Sequence, residues 1–125
     1  MPASSSLPAW LAQAMAALAA GQTEVWADLY TEDAVHEFPY APEDRPSRLE
    51  GRDAIAAFMA QLPGFVRFGH LDPVRTREAG DEIIVEARGH HHRVSDGMAM
   101  KIDYVWFITL REGKISHFKD YMNPL

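Results

Sequence analysis

The sequence predicts an α+β domain, and three observations carry the prediction. Apolar residues recur at helical spacing through the first half. Four strand-like runs separated by turn signals fill the second half. One short strand lies among the helices and must find its partner later in the chain. The 125 residues suit a single domain over 1–125. A domain of that size buries roughly two-thirds of its unfolded surface and needs no staples.

The elements follow in order. Ser4 to Ser6, then Leu7 and Pro8, read as a helix start with a serine cap and an early proline. Trp10, Leu11, Ala14, Met15 and Leu18 continue at helical spacing, and Gly21 ends the helix. Thr23 is expected to cap a second short helix carrying Val25, Trp26, Leu29 and Tyr30. Ala34–Pro39 reads as a short strand, and Pro39, Pro42 and Pro46 make the next stretch a loop. Gly51 precedes a third helix, Arg52–Leu62, with Ile55, Phe58, Met59 and Leu62 on one face; Pro63-Gly64 stops it. Val66–Ala79, with a bend at Asp72-Pro73, then Glu82–Val94, Met98–Leu110 and Lys114–Met122 read as an antiparallel meander. Gly80-Asp81, Ser95-Asp96-Gly97 and Glu112-Gly113 supply its turns.

Composition removes several function classes. There is no cysteine, so disulfides, thiolate metal sites and cysteine nucleophiles are excluded. That is compatible with a reducing compartment, and a cytoplasmic location is expected. The formal net charge is −6 with no basic stripe, so no nucleic-acid partner is expected. Met1 to Gly21 lacks a charged leader region and reads as a helix, not a signal peptide. No run approaches the ~18 apolar residues of a membrane span, so no membrane partner is expected.

Strand alternation sorts the side chains. With Phe38 inward, His36 faces in too. Ser116, Phe118, Asp120 and Met122 share one face of the last strand, opposite Ile115, His117, Lys119 and Tyr121. Lys101, Asp103, Val105 and Phe107 oppose Ile102, Tyr104, Trp106 and Ile108 on the long strand. Both of its faces are apolar, which predicts a homodimer covering Tyr104, Trp106 and Ile108 on the outer sheet face. His90-His91-His92 invites a metal reading. Consecutive strand residues point to opposite faces, so His90 and His92 alone share one. Spacing shows no third ligand, and neither a metal nor another cofactor is expected. His91 is expected on the inner face.

The chain resembles the SnoaL-like branch of the nuclear-transport-factor-2-like superfamily over about Leu11 to Pro124. Three motifs carry the resemblance. They are Ala27–Ala34 running into Val35–Pro39, Leu49–Ile55 with its Gly51-Arg52, and Asp103–Phe107 through Glu112–Ile115 to Lys119–Pro124. The resemblance implies a cone-shaped, curved, mixed or antiparallel sheet that encloses an apolar pocket with three helices from the N-terminal half, and a frequent homodimer. The implied ligand is a small, flat, apolar molecule, polycyclic or carbonyl-bearing. Around it the family geometry would gather some of Trp10, Met15, Trp26, Tyr30 and Phe38. Met59, His91, Phe107, Phe118 and Met122 are further candidates, and Tyr40 would sit in a lid.

Three residues are candidates for chemistry. Asp120 is first: it stands among Phe118, Tyr121 and Met122, and SnoaL-like cyclases and limonene-epoxide hydrolases resemble this chain in a working aspartate there. A carboxylate in apolar surroundings suits general acid–base work. Asp103 matches by position the carbonyl-polarising acid of ketosteroid isomerase. His36, in an otherwise apolar strand, would assist Asp120. The departures are informative. Ala14 and Phe38 stand where ketosteroid isomerases carry a tyrosine and the base aspartate. Ala87 and Gly89 replace the arginine and aspartate of the epoxide hydrolases, while Glu86 and Arg88 lie one residue off and face the other way. His36 and Phe38 replace the hydrolases' water-positioning tyrosine and asparagine. The expectation is therefore a cofactor-free acid/base enzyme of cyclase or isomerase type. The alternative is a non-catalytic dimeric module that binds a small apolar ligand.

Overall fold

A computed structural model describes residues 7–122. The expected serine cap at Ser4–Ser6 lies outside them. Helix α1 spans Ala9–Ala19 and α2 spans Thr23–Ala27. Strands β1 (Tyr30–Glu37) and β2 (Arg48–Glu50) precede α3 (Arg52–Gln61) and a 3-10 turn at Leu62–Gly64. Strands β3 (Val66–Arg67), β4 (Leu71–Ala79), β5 (Glu82–Arg93), β6 (Ala99–Arg111) and β7 (Lys114–Met122) follow.

The second helix is shorter than its periodicity suggests. Tyr30 opens β1 instead of closing α2, because β7 captures the chain there: the Ile115 N–H donates to the Leu29 carbonyl at 2.8 Å, and Tyr30 pairs with Ile115. Tertiary pairing outweighs local helix preference. Thr23 is the first helical residue, not the cap, and no side chain caps α2. β2 emerges after the proline loop as a three-residue edge strand, with His36 opposite Leu49. The Val66–Ala79 run breaks at Phe68–His70, and both pieces pair with β5.

The strands form one curved, unclosed mixed sheet in the order β2-β1-β7-β6-β5-β3, with β4 also on β5. β1 runs parallel to β7, and every other pairing is antiparallel. The helices cover one face. Leu11, Ile55, Tyr30, Ile108, Ile115 and Phe118 are wholly buried between helices and sheet. Each such side chain contributes about 1.5–3 kcal/mol relative to exposure.

Two predicted faces are corrected. Tyr104, Trp106 and Ile108 face the helices, at 8%, 3% and 0% exposure, so they line no outer surface. The Trp26 and Trp106 rings meet edge-on at 6.3 Å. The alternation itself explains the correction: Lys101 and Asp103 share a face with Val105 and Phe107, and charges take the solvent side. On β7 the register shifts opposite Thr109 and Leu110, leaving Ser116 as an extra residue. Ile115 and Phe118 therefore both point inward, where strict alternation would separate them.

Candidate active site

Three adjacent strands place the candidate side chains on the inner face. On β1, His36 lies opposite Phe118 of β7; on β7, Asp120 lies opposite Trp106 of β6. The His36 ring stacks on Phe118, with centroids 4.5 Å apart and planes at 11°, and touches Phe38 at 4.6 Å. Those contacts fix the imidazole plane and point its two nitrogens at Tyr30 and Asp120.

Proton positions along this row follow from which groups can only donate. An indole N–H has no acceptor capacity. Trp26 Nε1 therefore donates to the Tyr30 hydroxyl at 3.2 Å, and Tyr30 donates its own hydrogen to His36 Nδ1 at 2.8 Å. Burial, together with the Asp120 charge, holds the Tyr30 hydroxyl far above the usual phenol range, so it stays protonated. His36 then carries its hydrogen on Nε2. That nitrogen faces Asp120 Oδ2 at 3.4 Å but makes no hydrogen bond, although it is buried. Trp106 Nε1 donates to Asp120 Oδ1 at 2.9 Å. The Asp120 side chain keeps 13% exposure against 5% for His36, so the carboxylate is the less buried of the two. Half-buried Phe38, Phe58, Met100 and Met122 share this side of the sheet.

A second polar pair continues the row. The Gly69 N–H donates to His91 Nδ1 at 3.0 Å, so the neutral imidazole carries its hydrogen on Nε2 and donates to the Tyr104 hydroxyl at 3.1 Å. Burial pulls His91 down to about 4, helped by the neighbouring histidines. The Tyr104 hydroxyl is pushed well above the phenol range by burial and then by the charge of Asp120. Its hydrogen is thus present and directed away from His91. Gly89 makes the pair possible, since a Cβ there would collide with both His91 Nε2 and the Tyr104 ring.

The structure separates the remaining candidates. Asp103 is 62% exposed on the outer face and accepts a hydrogen bond from Arg88 Nε at 2.7 Å; that bond lowers its pKa. It is on the wrong side of the strand to polarise an inner-face carbonyl, because inward residues of β6 are the even-numbered ones. Phe107 also points outward. It lines a groove of about 180 Å³ with Glu82, Thr109, His117, Lys119 and Tyr121. Tyr40 is 63% exposed and meets Tyr121 edge-on at 5.3 Å, on that outer side. Met15, Trp26, Tyr30, Met59, His91 and Phe118 are buried in the core, while Trp10, Phe38 and Met122 are half-buried. Glu86 and Arg88 face outward and Ala87 and Gly89 inward. His90 faces outward next to His70 and Asp72, which come from the neighbouring strand region. The missed members of the inner row are Tyr104 and Trp106. The charges at Lys101 and Asp103 were the available signal for their inward direction.

Comparison with known proteins places the domain in a family. The sequence profile of the SnoaL-like domain matches residues 11–118. The chain is 33% identical over 102 residues to the uncharacterised protein YesE of Bacillus subtilis, covering 80% of this chain and 69% of that one. It is 35% identical over 107 residues to an uncharacterised PhzA/B-like protein of Pseudomonas aeruginosa, covering 84% and 75%. A crystal structure of a candidate isomerase from Bacillus subtilis superposes with a TM-score of 0.86 at 31% identity, covering 92% and 84% of the two chains. An epoxide hydrolase from M. tuberculosis shares the fold at a TM-score of 0.72 and 18% identity, covering 89% and 78%.

Proposed function

The chain belongs to the SnoaL-like domain family, and from that premise we propose that it is a cofactor-free acid–base enzyme of the isomerase or cyclase type. Its substrate would be a small apolar molecule bearing a carbonyl group. The observation that carries the reading is the row Trp26–Tyr30–His36–Asp120–Trp106, whose proton directions converge on one partly exposed carboxylate. In this reading Asp120 removes a proton next to the carbonyl and returns it elsewhere. Trp106 holds Oδ1 and leaves Oδ2 for the transfer. His36 Nε2–H turns towards Oδ2 or the substrate oxygen as charge moves. Tyr104 donates its hydrogen to the developing enolate oxygen. A phenol held above its usual range remains a donor and does not surrender its proton. Tyr104 takes the role that Asp103, on the far face, cannot fill.

The reading extends to assembly. A second copy would cover the outer face at Val105, Phe107 and Tyr121, which is half-buried and aromatic; the Phe107 and Tyr121 rings lie 5.8 Å apart.

The test needs no known substrate. A panel of enolisable cyclic ketones in D2O is followed by NMR for deuterium uptake next to the carbonyl. The wild-type chain should accelerate uptake for at least one member. Asp120→Asn should keep the fold and slow uptake by about 10²–10⁴-fold. Full exchange in that variant would defeat the acid–base role. Tight retention of an apolar ligand with no exchange by the wild type would favour a binding module instead.

A further inference from the structure

We infer that His70, Asp72 and His90 form a binding site for a divalent transition-metal ion of the zinc, nickel and copper class on the outer face of β4 and β5. One ligating atom from each residue lies within 4.8 Å of the others. His90 Nε2 is 2.8 Å from Asp72 Oδ2, and His70 Nε2 is 3.3 Å from Asp72 Oδ1. The two imidazoles lie stacked, with centroids 4.4 Å apart and planes at 13°, so both present Nε2 to the same carboxylate.

The arrangement is held by backbone, not by chance contact of long side chains. The His90 N–H donates to the His70 carbonyl at 2.9 Å, which sets the two residues side by side. One residue earlier, the Gly69 N–H is tied to His91 Nδ1. A Cβ at Gly69 would run into the His90 carbonyl oxygen, so the glycine permits this close approach. Asp72 follows two positions later as the second residue of β4, with its carboxylate beside the His70 ring. The histidine triplet offers no third ligand along its own strand. The third and second ligands come from the adjacent strand region, which spacing along β5 does not reveal.

The donor set selects the ion. Two imidazoles and one carboxylate suit zinc, copper and nickel, whereas calcium and magnesium prefer oxygen ligands throughout. Zinc–nitrogen bonds are about 2.0–2.1 Å, so the ion would sit between the two Nε2 atoms and displace the protons that now point at Asp72. His70 and Asp72 are 68% and 60% exposed and can turn the small distance needed. The fourth position opens to solvent. Arg88 and Lys101 are the cationic cross-strand partners of Asp72 and His90. Asp103 engages Arg88 at 2.7 Å, which offsets part of their repulsion. Binding should therefore be of moderate strength.

The test is calorimetric titration of tag-free, full-length protein with Zn2+ alone. One ion per chain should bind. Asp72→Asn and His90→Ala should each weaken it by at least the roughly 10-fold to 100-fold that outer-shell partners are worth. His92→Ala and His117→Ala should change it by less than about twofold, within ordinary additivity error. Because the substituted side chains are surface groups, circular dichroism should confirm that all four variants fold. As a second readout, sub-stoichiometric Ni2+ should broaden amide NMR signals around His70, Asp72 and His90 first. Three results overturn the site: no saturable binding up to about 1 mM Zn2+, equal affinity in Asp72→Asn and His90→Ala, or broadening centred on His36 or His117.

Discussion

Removing the Tyr30 hydroxyl would leave two buried groups without partners at once, the Trp26 N–H and His36 Nδ1. Tyr30→Phe should therefore cost about 1–3 kcal/mol in urea denaturation. It should also free the His36 tautomer and lower deuterium exchange by a larger factor than the loss of stability explains. His91 gives a pH signature. Its imidazole titrates near 6.5 when unfolded and near 4 when folded. As pH falls through that window the unfolded chain binds the proton first, so stability is complete above pH 6.5 and is lost towards pH 4. The urea midpoint should drop between pH 6.5 and 5 in the wild type, and much less in His91→Gln. The pairing of single residues was legible in the sequence: His36 and Asp120 stand out as polar groups in apolar strands, and they face one another at 3.4 Å. What alternation left open was phase. A strand apolar on both faces does not say which face is inner, and only the Trp106–Asp120 pairing places Tyr104 and Trp106 beside the carboxylate.

Elements were legible where the local pattern and the tertiary pairing agree. β7 matches its predicted bounds, and α3 differs only by handing Leu62 to the 3-10 turn. They were not legible where a distant strand decides, as when β7 turns the end of a helical repeat into the start of β1. A three-residue edge strand such as β2 is too short to show any period. The break between β3 and β4 is a further case: its position follows from Gly69 lying against the His90 carbonyl. Gly69→Ala should push this segment away from β5 and destabilise the fold by about 1–3 kcal/mol. Amide exchange should rise first at Gly69 and His90, whose N–H groups are tied across this gap. Wild-type protection at both amides in the variant would show that the approach tolerates a methyl group.

For the whole molecule, the uncovered candidate interface is the face of odd-numbered β6 residues, with Val105 and Phe107 beside Tyr121 of β7. Light scattering at micromolar protein should give the mass of a dimer. Phe107→Glu, which sets a charge in the middle of this half-buried aromatic patch, should give that of a monomer without loss of helix content. A wild-type monomer would end the dimer reading. Among the described residues no helix is long and apolar enough to cross a membrane. The overall α+β order, with an early strand awaiting a late partner, was visible because helices and strands segregate along the chain. The pairing itself, β1 parallel to β7, has a consequence for synthesis. The ribosome releases the helices and β1 long before β7 exists, so the first third of the chain waits with an unsatisfied edge. His36 meets Asp120 only when the final strand is delivered. A nascent chain that lacks β7 therefore lacks the His36–Asp120 contact, which forms in a single step when that strand docks on β1.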